Sequence, residues 1–130
     1  MLIINGRKIE SDQSPSLIFD EGVAFGRGAF ETLPVFEQPL WLDAHVQRLN
    51  RTLPQLGIMR PVAATEILDL IHENGIRNQT LKIIVTPQNL VLVTRPLPVP
   101  APEGLRLLLH PQGHPLRAPL AGLKTLNYLG

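Results

Sequence analysis

The chain has 130 residues, enough for one compact domain that buries roughly two thirds of its unfolded surface. Its formal net charge is +1 and its basic residues are scattered, which leaves no electrostatic case for nucleic acid or an anionic membrane. It has no cysteine, hence no disulfide framework or thiolate metal site, and no apolar run near the roughly 20 residues of a membrane span. A soluble, cytoplasmic protein is the expectation.

Taken in order, Leu2-Ile3-Ile4 and Arg7-Lys8-Ile9 flank Asn5-Gly6, a strong local hairpin signal. Residues 11–16 read as loop. The segment from Ile18 to Leu33 carries Gly22, Gly26 and Gly28, so its backbone needs positive φ or close approach at several points. Gly26-Arg27-Gly28 lacks the third glycine of a dinucleotide fingerprint and the Gly-Lys-Ser/Thr of a P-loop, so it reads as a turn. A strand follows over about 29–36, with a return at Leu40-Trp41-Leu42 after Gln38-Pro39.

Asp43 is placed to cap a helix running from Ala44 to Leu53. Val46, Leu49 and Leu53 share its buried face, while His45, Arg48 and Thr52 lie on a neighbouring stripe. By pattern alone that stripe is a solvated face. Pro54 should end or kink the helix. A second helix is expected over about Val62 to Asn74, with Asn74-Gly75 as its stop. The β-type runs Thr80 to Thr86 and Leu90 to Thr94 form a hairpin around Pro87-Gln88-Asn89, and Gly104 to Leu109 reads as a further strand. Pro96, Pro98, Pro100 and Pro102 make a stiff connector. His110 and His114 have a metal-pair spacing, but Pro111, Gly113 and Pro115 exclude the helix that spacing would need, so no metal site is expected. Helices set among mostly antiparallel strands define an α+β fold with two main helices.

Near the chain's end stands Leu120-Ala121-Gly122-Leu123-Lys124-Thr125-Leu126-Asn127-Tyr128-Leu129-Gly130. Lys124 is one of three lysines, with Lys8 and Lys82. An amine among apolar neighbours is a candidate Schiff-base nucleophile, because desolvation disfavours its charged form.

Three separated segments resemble one family, in the family's order. DEGVAFGRGAFET, residues 20–32, is similar to its Asp-x-Gly-x-x-Phe-Gly-x-Gly-x-Phe-Glu signature. LDAHVQRLNRTLPQLGI, residues 42–58, is similar to its His-x-x-Arg-Leu helix. LKTLNYL resembles its lysine segment. The family is aminotransferase class IV, pyridoxal-phosphate enzymes of fold type IV that include branched-chain aminotransferase, D-amino acid aminotransferase and aminodeoxychorismate lyase. The resemblance implies pyridoxal 5'-phosphate as cofactor. It implies Lys124 as the residue that holds the cofactor covalently and acts as general base. Arg48 takes the position of the phosphate contact, and Tyr128 stands near a tyrosine that approaches the cofactor's phenolic oxygen. Phe30 and Glu31 match the strand facing the substrate pocket.

The resemblance further implies an amino-acid-like substrate or an aminated chorismate derivative, and a homodimer. It divides the chain into an N-terminal domain over 1–115 and an interdomain segment over 116–130 with the lysine motif. The family's second domain has no expected counterpart here. The alternative is a catalytically inactive fragment serving as a dimerisation or assembly domain.

Overall fold

A computed structural model describes residues 1–10, 19–100, 102–109 and 120–127. The first strands, β1 (Leu2–Ile4) and β2 (Arg7–Ile9), pair across Asn5-Gly6. Both turn residues have positive φ, 48° and 79°, the left-handed pair that a twisted two-residue hairpin demands. A short helix α1 (Glu21–Phe25) leads through Gly26 into β3 (Ala29–Val35). Helix α2 (Leu42–Thr52) follows and runs on into a single 3-10 turn over Leu53–Leu56. Helix α3 (Ala64–Glu73) then precedes the hairpin of β4 (Gln79–Val85) and β5 (Leu90–Pro96).

The five strands form one antiparallel sheet in the order β2-β1-β5-β4-β3. Strand alternation divides its side chains between two faces. One face meets α2 and α3: Leu33 and Leu81 lie opposite each other, and Ile83, Leu92 and Ile3 form the next row. Against them pack Val46 and Leu49 of α2 and Ile67 and Ile71 of α3, all buried. Each such side chain contributes roughly 1.5–3 kcal/mol by leaving water. The α+β architecture with two main helices on a mostly antiparallel sheet is therefore the observed fold.

Several local expectations change. Helix α2 begins at Leu42, not after Asp43, because Leu42 packs on the core and exposed Trp41 makes the turn into it with φ 53°. Asp43 lies within the first turn, where a negative charge still favours the helix dipole. The return after Gln38-Pro39 is reduced to one bridge between Val35 and Pro39. Pro54 does not kink α2 but seats itself in the 3-10 turn after it. Residues 104–109 form no strand, since no neighbouring backbone pairs with them among the described residues. Leu105, Leu107, Leu108 and Leu109 are almost fully exposed there. No helix among the described residues is long and apolar enough to cross a membrane.

Candidate active site around Lys124

Strand β3 is an edge strand, and its free side is taken by the lysine segment. Phe30 N–H donates to Lys124 O at 3.1 Å and Leu126 N–H donates to Gly28 O at 2.8 Å, so Ala29 and Thr125 face each other in antiparallel register. A turn closed by Leu123 N–H to Leu120 O (3.1 Å) delivers the segment to that edge. Gly122, at φ 82°, supplies the left-handed step. Thr125 is 2% exposed beneath the sheet's end. The glycines at 26 and 28 make the docking possible. A β-carbon on Gly28 would stand 2.6 Å from Leu126 Cδ1 and 2.8 Å from Val85 O, while Gly26 (φ 68°) packs on Asn127.

So anchored, Lys124 is part-buried and its Nζ lies 4.8 Å from the centre of the Phe30 ring. Lys82 Nζ lies 4.4 Å from the same centre. Among the described residues neither amine takes part in an ion pair or side-chain hydrogen bond. The aromatic face is the observed neighbour of both, a cation–π arrangement.

Glu31, the next residue on β3, points to the opposite face. It shares a row with the core residues Ile83 and Leu92 and is 1% exposed. A carboxylate there requires partners. Arg48 provides a bidentate pair, Nε to Oε1 and Nη2 to Oε2, both 2.6 Å, and His45 Nδ1 lies 2.8 Å from Oε2. An ionised carboxylate only accepts, so His45 donates. Burial pushes the Glu31 carboxyl up, but the hydrogen bonds and charges of Arg48 and His45 outweigh it and hold the group below its usual range. The same pairing raises the Arg48 guanidinium above its ordinary value, against the effect of burial. Arg48 remains half-exposed, and its Nη1 makes no hydrogen bond among the described residues. The His45 and Arg48 stripe is thus not merely a solvated helix face.

A polar cluster fixes the adjoining end of the sheet. Buried Asp20 caps α1 by accepting from Gly22 N–H at 2.7 Å, and it also accepts from Thr86 Oγ1 at 2.8 Å and from Asn89 Nδ2. Burial acts to raise its pKa, yet these donors keep it below the ordinary carboxylate value. Asn89 reaches Asn5 at 2.8 Å, which ties the β1–β2 turn to the β4–β5 turn. Arg27 bonds Glu21 at 2.5 Å and donates to Leu56 O and Gly57 O at 2.9 and 3.1 Å, clamping the segment before β3 to the end of the 3-10 turn.

Of the residues singled out from the sequence, the structure brings Lys124 and Phe30 together on one face and joins Glu31 to Arg48 on the other. Tyr128, His110 and His114 lie outside the described residues, as does the loop over 11–16. Sequence reasoning did not assign Lys82, His45 or Asp20. The i, i+3 spacing of His45 and Arg48 was a usable signal for a shared partner. Lys82 depended on strand register, which no local pattern carries.

Strand β3 thus carries the docked lysine segment on its edge and the Glu31–Arg48 pair on its helix-covered face. Residues 28–130 match the model of amino-transferase class IV, and the chain belongs to that family. It is 39% identical over 74 residues to an aminodeoxychorismate lyase of Bacillus subtilis, a match covering 56% of this chain and 25% of the relative. A putative branched-chain-amino-acid aminotransferase of Methanocaldococcus jannaschii is 26% identical over 90 residues, covering 65% and 31%. The crystal structure of 4-amino-4-deoxychorismate lyase from Pseudomonas aeruginosa superposes with a TM-score of 0.74 at 28% identity, over 98% of this chain and 53% of that one. The chain spans about half the length of that structure and matches a quarter to a third of the curated relatives.

Proposed function

We propose that this chain carries the lysine-bearing part of a pyridoxal-phosphate-dependent class IV enzyme, an aminotransferase or an aminodeoxychorismate lyase acting on an amino-acid-like substrate. The observation that carries this reading is the Lys124 segment. Two backbone hydrogen bonds register it on β3 and leave a part-buried amine beside an aromatic ring, with no carboxylate partner among the described residues.

The residues present suit the cofactor. Lys124 offers the amine that an aldehyde needs. Arg48 offers a guanidinium already oriented by Glu31, with Nη1 uncommitted, for a phosphate. Glu31 and His45 are positioning residues here: Glu31 holds the Arg48 guanidinium, and His45 donates to Glu31. When bound, the cofactor supplies an electron sink for a carbanion at the substrate α-carbon. The chain's own part is to hold the phosphate at Arg48, to line the pocket with Phe30 and to move the α-proton through the Lys124 amine. Tyr128 belongs to the same reading as a contact near the cofactor ring. The site then straddles β3, with the lysine and arginine half-sites on its two faces.

Reductive trapping tests this. Incubation with pyridoxal 5'-phosphate and borohydride should place label on Lys124 and leave Lys8, Lys82 and the amino terminus largely unmodified. Label spread evenly over these amines would sink the reading. A homodimer is part of the same proposal, supported by the exposed Phe19, Phe25 and Trp41. Sedimentation velocity should show a concentration-dependent dimer, and a monomer throughout would refute that part.

A further inference from the structure

The end of the sheet opposite the Asn5-Gly6 turn brings together two surfaces that the catalytic reading leaves unused. Val35, Gln79 and Pro96 face one another across β3, β4 and β5, so β3 and β5 both leave the sheet there. From β3 the chain turns through Trp41 into α2, and β5 ends in Arg95-Pro96-Leu97-Pro98-Val99-Pro100. The first surface is a groove of about 520 Å³ between the start of α2 and the start of α3, lined by Pro39, Trp41, Leu42, Asp43, Ala64 and Leu68. Trp41 is 73% exposed, and its φ of 53° is one that a bulky side chain rarely adopts. A strained turn that holds a tryptophan ring in water points to a contact for that ring.

The second surface is the proline run. Prolines at alternate positions favour the polyproline II form, which has no internal hydrogen bonds and loses little freedom on docking. Pro96, Pro98, Val99 and Pro100 are all exposed. Aromatic-lined grooves receive segments of this kind. The charges match as well. Arg95, just before the first proline, and Asp43, in the groove, are both exposed, and neither forms an ion pair among the described residues.

We propose that two copies of this chain associate by seating residues 95–100 of one in the Trp41 groove of the other. The groove is not lined by that segment of its own chain. Because groove and segment lie at one end of the sheet, the exchange can be mutual, which closes the assembly at two copies. This deepens the homodimer part of the reading above, on which it rests, by naming the two surfaces that meet.

Trp41 is the one tryptophan, so its fluorescence reports on this groove alone. The acetylated peptide Arg-Pro-Leu-Pro-Val-Pro is the probe, and the same peptide with alanine for each proline is its control. At dilutions where the chain is monomeric, the proline peptide should shift Trp41 emission saturably to shorter wavelength, and the alanine peptide should leave it unchanged. In sedimentation velocity, Trp41→Gly should weaken dimerisation by about tenfold or more, and glycine suits the φ at that position. Pro98→Ala combined with Pro100→Ala should act in the same direction. Arg95→Glu should weaken the dimer, and Asp43→Arg in the same chain should restore most of it. Emission that ignores the proline peptide up to millimolar concentration overturns the inference. So does a dimer unmoved by Trp41→Gly, which leaves the homodimer reading standing. A monomer at every concentration defeats that reading and this inference together.

Discussion

One added methyl at Gly22 would stand 2.2 Å from Thr86 Cγ2 and 2.8 Å from Asp20 Oδ1. Neither neighbour can yield cheaply, because Thr86 and Asp20 hold each other and Asp20 also caps α1. Gly22→Ala should therefore destabilise the fold by about 2–3 kcal/mol through overpacking, read as a lower urea midpoint with an unchanged slope. Gly6 makes the useful contrast. Its β-carbon would meet nothing within 4 Å, so only the strain of φ 79° opposes a side chain there. A loss below about 0.5 kcal/mol at Gly22 would mean that the Asp20 cluster adjusts more easily than its hydrogen bonds imply. At this scale the sequence was partly legible. The glycines at 22, 26 and 28 signalled special backbone, but not which needs a left-handed φ and which needs room. Only Gly26 of the three has positive φ; the other two admit close neighbours.

Among the elements, the decisive contact is that of a segment late in the chain with a strand near its start. The hairpin at Asn5-Gly6, the β4–β5 pair and the two helices were readable from turn chemistry and periodicity, since each is a local pattern. The docking of residues 123–126 on β3 was not, because an edge pairing across about 95 residues leaves no local trace. The family resemblance marked Lys124 and Phe30 separately, and only the antiparallel register shows that one ring receives two amines. Gly28→Ala should loosen this docking selectively, because its β-carbon would strike Leu126 and the carbonyl of Val85. Amide exchange at Phe30 and Leu126, the two donors across the edge, should speed up by about tenfold or more, while core amides such as Leu81 and Ile83 change far less. Uniform acceleration over the whole sheet would show instead that the lysine segment and the sheet open together. Trapping at Lys124 should lose selectivity in the same variant.

Across the whole molecule, two buried carboxylates hold separate parts together by the same means. Asp20 joins α1 to the β4–β5 turn, and Glu31 joins β3 to α2. Both are held below their ordinary values because their donors outweigh burial, so each stabilises the fold in its ionised form. The sign follows from linkage: a depressed folded pKa contributes stability that is complete above the unfolded value and fades as pH falls through the folded value. Stability should thus be level from about pH 7 to about pH 5.5 as far as these groups govern it, and decline below about pH 4.5 as both are forced to take protons. Glu31→Gln removes one contributor. It should cost about 2 kcal/mol at pH 7, because Arg48 and His45 lose a charged partner, and the variant should approach the wild type in acid as that partner is neutralised there anyway. Urea midpoints at pH 7 and pH 3.5 decide the matter. Wild-type and variant curves that stay parallel down to pH 3.5 would mean that the Glu31–Arg48 pair adds no net stability. Its function would then be orientation alone, holding the guanidinium ready on the face of β3 opposite Lys124.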